Sequence, residues 1–136
     1  MQTSLTAKPI SARVLWTGRI LSYLAVLFLL MDSFGKIMKD ARSLEATVSL
    51  GYTEGIIPVL GVLILICTLL YLMPKTSVLG AILLTGYLGG AVASNLRVDS
   101  PLFSHVLFPV YLGIFIWVGL YLRSKTLRQM IPVQAA

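Results

Sequence analysis

The chain has 136 residues, 57% of them hydrophobic and 12% charged, with a net charge of +6 at pH 7. Soluble domains carry about 25% charged residues, so this chain lacks the polar side chains to cover a water-exposed surface, and its apolar excess is expected to face lipid. The basic balance does not point to nucleic acid, because Lys and Arg lie between apolar runs and at the two ends rather than in a stripe that tracks a phosphate backbone.

A bilayer core about 30 Å thick needs about 20 apolar residues of helix. The first apolar run, Ile20 to Met31, is uncharged but short. It reaches membrane length if it begins near Arg13, with Arg19 snorkelling to the headgroups and Trp16 in the aromatic belt. That places the first span at about residues 13–32. A positive start and a short apolar core also suit a signal peptide. No small-x-small site follows Met31, where the chain runs Asp32-Ser33-Phe34-Gly35-Lys36, so a retained helix is expected.

Beyond it, Phe34, Ile37, Met38, Ala41, Leu44 and Val48 recur at helical spacing, with Lys36, Lys39, Asp40, Arg42 and Ser43 on the other face. This pattern predicts a short amphipathic helix in the membrane interface, over about residues 34–50, ended by Gly51. The chain is then uncharged between Glu54 and Lys75 and between Lys75 and Arg97. From Ser100 to Leu122 its one titratable side chain other than tyrosine is His105. These stretches predict three further spans, at about 55–74, 76–96 and 101–122. Their connections, Met73 to Ser77 and Arg97 to Pro101, are short enough to force antiparallel neighbours. The expected fold is all-α, a transmembrane four-helix bundle forming one domain over residues 1–136, with an interfacial helix between helices 1 and 2.

Inside a bilayer, helices associate through close packing of small residues. The third span has such a face, with Gly86, Gly89 and Gly90 at its centre and a G-x-x-x-G pair at Gly86 and Gly90. It is expected to pack within the bundle, against Gly55, Gly61 or Gly113, and it also suits a homodimer seam. Pro58 falls in the first turn of its span, where a missing N–H costs little. Pro109 is deeper and is expected to kink the fourth span, leaving a freed carbonyl near Ser104 and His105. Cys67 is alone and mid-run, and reads as a small apolar packing residue.

Polar groups at membrane depth are costly and mark functional sites. Asp32, Lys36, Asn95, Arg97, Asp99 and His105 fall near the outer ends of spans one, three and four, and converge on one expected outward-facing cluster. The competing expectation is that they cap helix ends and that Arg97 pairs with Asp99. His105 leads the candidates, because its charge changes near neutral pH. No residues are assigned a catalytic role. One histidine does not supply two axial haem ligands, no cluster has metal-ligand spacing, and the glycines lie inside an apolar helix rather than in a phosphate-cradling loop. Ser104 and His105 are sequence neighbours, which is not itself a nucleophile–base arrangement.

Spans two to four resemble the DoxX-like family of small four-helix membrane proteins. The resemblance is carried by Leu60-Gly61-Val62-Leu63, by the run from Leu70 to Ala93 through Met73-Pro74-Lys75 and Gly86-Tyr87-Leu88-Gly89-Gly90, by Arg97, by Pro101 to Pro109 with Ser104-His105, and by Trp117 to Arg123. Phe34-Gly35-Lys36-Ile37 is similar to the glycine-lysine turn that ends the family's first helix. The likeness extends over about Arg19 to Pro132. It implies the four-helix architecture, and the family takes its name from a membrane subunit associated with a thiosulfate:quinone oxidoreductase. Relatives often carry a glutamate where this chain has Ile64 and a histidine where it has Asn95.

Lys8, Arg13, Arg19, Lys75, Arg123, Lys125 and Arg128 lie on one side of the spans, and Lys36, Lys39, Arg42 and Arg97 on the other. The positive-inside rule therefore puts both termini in the cytoplasm, with the chain in the cytoplasmic (inner) membrane. The function expected is an accessory or ligand-binding bundle without its own catalytic site. Its partners would be the bilayer and either a second copy or a membrane or redox subunit. No resident cofactor is expected, although a quinone is the candidate lipid-soluble ligand. The alternative is a membrane subunit of a quinone-linked oxidoreductase. A transporter is disfavoured, because no inverted repeat is found.

Overall fold

The computed structural model describes residues 11–131, so Lys8 lies outside the described part. Helix α1 spans Ala12–Ile37, and its N-cap Ser11 accepts a hydrogen bond from the Val14 N–H at 3.4 Å. It is five residues longer at its far end than expected. The helix stops where Lys39 takes φ 52°. There the Asp40 N–H reaches back to the Gly35 carbonyl at 2.9 Å and the Lys39 N–H to Lys36 at 3.3 Å. This is a Schellman turn built without glycine. The amphipathic stretch is thereby split. Phe34, Lys36 and Ile37 belong to α1, and the separate short helix α2 is only Ala41–Ser49. Gly51, at φ 98°, ends it as expected.

After a 3₁₀ turn at Glu54–Ile56, α3 runs Ile57–Leu72 with Pro58 in its first turn. Helix α4, Ser77–Arg97, ends in a second Schellman turn. Asp99 takes φ 54°, and the Ser100 N–H bonds the Asn95 carbonyl at 3.0 Å. A π-helical turn, Leu102–Val106, leads into α5, Phe108–Arg123. The kink expected within a continuous fourth helix is not what forms. Pro109 lies in the first turn of α5, and the widened turn precedes it, with the Leu107 N–H bonding Leu102 at 2.9 Å. Proline has no N–H to continue the regular ladder, so the register changes before it. A last short helix, α6, covers Lys125–Met130.

Among the described residues, four helical segments are long and apolar enough to cross a membrane: Ala12–Ile37, Glu54–Leu72, Ser77–Arg97 and Leu102–Arg123. The protein is an all-helical, four-span membrane bundle. Helix α1 packs against α3 and α5, and α4 packs against the same two from the opposite side. Ala25, Leu29, Ile64, Tyr71, Ala81, Leu84, Ile116 and Leu120 fill the core, with Cys67 packed at its margin. Leu24, Leu27, Met31, Val62, Ile66, Ile82 and Ile114 point outward, which suits hydrocarbon rather than water.

The helices meet closely at glycines, but not through the expected face of Gly86, Gly89 and Gly90. A Cβ on Gly119 would lie 2.5 Å from Ser22 Oγ and 2.9 Å from the Gly18 carbonyl, so α1 and α5 cross backbone to backbone. Gly61 similarly faces the Ser33 carbonyl, at 2.9 Å, and Ser33 Oγ donates to the Gly61 carbonyl at 2.8 Å. Around Gly86, Gly89 and Gly90 a Cβ would meet nothing within 4 Å. Those three glycines therefore make no close crossing within the described bundle.

Candidate ligand-binding cavity

The empty space beside Gly86 and Gly90 belongs to a cavity of about 650 Å³ between α1, α4 and the start of α5, covered by α2. The two helices α1 and α4 sit diagonally in the ring, and side chains on α4 too small to reach across leave the gap open. From Gly86 to Asn95 the α4 wall extends about 14 Å along the helix axis. The volume suits a small-molecule site, whose usual range is about 300–1,000 Å³.

Four of the six expected cluster residues meet here. Asp32, Lys36, Asn95 and His105 all line the cavity. On α1, Asp32 and Lys36 stand one turn apart and form an ion pair through Asp32 Oδ1 and Lys36 Nζ. Lys36 is only 9% exposed, so pairing is what allows its charge to sit there. On α4, Asn95 Nδ2 donates to the Ala91 carbonyl at 2.9 Å. The π-helical turn presents His105, whose Nδ1 lies 2.7 Å from Ser104 Oγ. Which of these two atoms donates depends on the imidazole tautomer.

Arg97 and Asp99 do not line the cavity, and they do not pair with each other. Among the described residues the one ion pair is Lys36–Asp32. Asp99 occupies the left-handed position of the α4 turn. Arg97 Nη2 donates to the Leu50 carbonyl at 2.5 Å, and so ties the chain after α2 to the end of α4. Because Thr47, Ser49 and Leu50 cover the cavity, Arg97 acts by holding that cover in place.

Sequence reasoning missed Tyr52, Tyr87 and Ser94, which also line the cavity. Ser94 Oγ donates to the Gly90 carbonyl at 2.9 Å. Its single proton is thus committed, and the 2.7 Å contact with Tyr52 must have the phenol as donor. Ser94 follows Gly86 and Gly90 at intervals of four on one helix face. That stripe was legible as a face of small residues, but not as the wall of a cavity rather than a packing seam. Nothing in the sequence singles out Tyr52, which arrives from the turn after α2.

The polar groups gather at the α2 end, and Phe28, Leu29, Leu88, Phe108 and Leu112 line the deeper part. No group of three or more His, Cys, Asp or Glu side chains suited to hold a metal occurs among the described residues.

The sequence model of the DoxX-like family matches residues 20–119. The chain belongs to the DoxX-like family. The matched region contains every residue that lines the cavity, since its walls run from Phe28 to Leu112. No curated protein and no solved structure matched the chain. Ile64 is buried in the core of this DoxX-like protein, and Asn95 faces the cavity.

Proposed function

We propose that this DoxX-like protein is an accessory bundle of the cytoplasmic membrane that holds an amphiphilic, lipid-soluble molecule in the α2-covered cavity. The observation that carries this reading is the cavity's polarity gradient. Asp32, Lys36, Ser94, Asn95 and His105 form one end, and Phe28, Leu29, Leu88 and Leu112 form the other. A ligand with a hydrogen-bonding head and an apolar body satisfies both ends at once, whereas a wholly polar or wholly apolar one leaves one end unmatched. A quinone suits this donor set, because its carbonyl oxygens accept from ammonium, amide and imidazole N–H groups. Such a ligand would supply electron chemistry to a partner, while the residues of this chain bind and orient it.

The orientation we propose has both termini in the cytoplasm. Arg13, Arg19, Lys75, Arg123, Lys125 and Arg128 lie at the terminal end of the spans, against Lys36, Lys39, Arg42 and Arg97 at the α2 end, and this bias supports it.

Purification from native membranes in mild detergent, with mass spectrometry of everything that co-elutes, tests the proposal. A retained quinone or other isoprenoid, reduced in His105→Ala and Lys36→Met variants, is the expected result. Elution with neither a lipid-like ligand nor a protein partner would overturn it.

A further inference from the structure

The opposite end of the bundle carries a second, smaller cavity of about 140 Å³, lined by Arg19, Ser22, Tyr23, Tyr71, Leu72 and Arg123. Its floor is a directed chain of hydrogen bonds. Tyr71 Oη donates to the Ile116 carbonyl at 2.8 Å. The phenol proton is thus used, so the 2.8 Å contact with Ser22 has the serine as donor. Ser22 Oγ in turn accepts from Arg123 Nε at 3.1 Å. The guanidinium also lies over the Tyr71 ring, its carbon 5.2 Å from the centroid. Arg123 is held from two directions, yet neither of its Nη groups has a partner among the described residues.

Among the described residues no ion pair offsets the charge around it. Arg19 stacks on Trp16, at 5.5 Å, and forms no ion pair among the described residues. The chain has five Asp and Glu residues. All of them, Asp32, Asp40, Glu45, Glu54 and Asp99, belong to the α2 end. No carboxylate side chain is available to neutralise Arg19 and Arg123, and a fixed guanidinium with open N–H groups is suited to bidentate recognition of a phosphate.

We propose that this cavity binds the phosphate of a membrane-lipid headgroup or a free phosphate, with Arg123 and Arg19 as its two cationic contacts. The site lies at the opposite end of the bundle from the ligand cavity, and its occupancy is separable from that of the other.

The test is native mass spectrometry of the full chain released from nanodiscs of phosphatidylcholine doped with phosphatidylglycerol, comparing wild type with Arg19→Gln, Arg123→Gln and Lys75→Gln. Loss of one charge-assisted contact is expected to weaken phosphatidylglycerol retention about tenfold in the two arginine variants. Lys75→Gln, which alters the exposed turn between α3 and α4, is expected to retain it. Arg19 is exposed and makes no ion pair among the described residues, so its variant reads the site even where Arg123→Gln perturbs the fold. Inorganic phosphate is then added to wild type and its effect on thermal stability measured. Stabilisation equal to that by phosphatidylglycerol, lost in Arg19→Gln, assigns the site to free phosphate. Equal retention by wild type and Arg19→Gln, or equal loss in Lys75→Gln, would overturn the proposal.

Discussion

At the residue scale, the glycines of this bundle divide into two kinds that helix propensity treats alike. Gly119 lies against the Gly18 backbone, and Gly86 beside open space. Gly119→Ala is therefore expected to destabilise the bundle by about 1–3 kcal/mol through overpacking. Gly86→Ala should leave it unchanged or stabilise it by about 0.5–1 kcal/mol, the ordinary gain of alanine over glycine in a helix. Thermal denaturation of the two variants in detergent checks the contrast, and equal effects would contradict the assignment. The Asp32–Lys36 pair offers a second test. Lys36→Met strands a half-buried carboxylate, at a cost of about 2 kcal/mol, between the values for exposed and buried pairs. Adding Asp32→Asn is expected to recover part of that loss, because the orphaned charge is what the single variant leaves behind.

At the scale of elements, the four spans were legible because uncharged runs of membrane length are bounded by Glu54, Lys75 and Arg97. Helix ends were less so. The helical spacing from Phe34 to Val48 runs straight through the turn at Lys39, since periodicity records which residues are apolar and not where a backbone takes a positive φ. The π-helical turn before Pro109 was hidden for a similar reason: proline announces a break but not how the preceding turn absorbs it. The cavity shows the deeper limit. Asp32, Lys36, Asn95 and His105 were legible as one cluster because polar groups at membrane depth are rare. Arg97 was legible as polar but not as the tie to the Leu50 carbonyl, which joins residues 47 apart. Arg97→Gln is expected to raise amide hydrogen exchange in residues 47–52, with the amides of α3 and α5 unaffected. Unchanged exchange there would mean that the cover is held by other contacts.

At the scale of the whole molecule, the bundle has two chemically different ends. The α2 end holds all the carboxylate side chains and a large cavity graded from polar to apolar, and the terminal end holds only cations around a small one. The excess of Lys and Arg at the terminal end sets the proposed orientation. A reporter that matures only in the cytoplasm, fused to the C-terminus, is accordingly expected to be active. The central claim is that the α2-covered cavity holds an amphiphile, and the glycines that open it provide the most direct test. In Gly86→Leu/Gly90→Leu, side chains extend into space where a Cβ meets nothing within 4 Å, so the cavity is filled without breaking a helix crossing. Native mass spectrometry of this variant beside wild type, with helicity checked by circular dichroism, is the measurement. The account predicts a lipid-soluble ligand on wild type and its loss from the equally helical variant; equal retention by both would place the ligand elsewhere and contradict it.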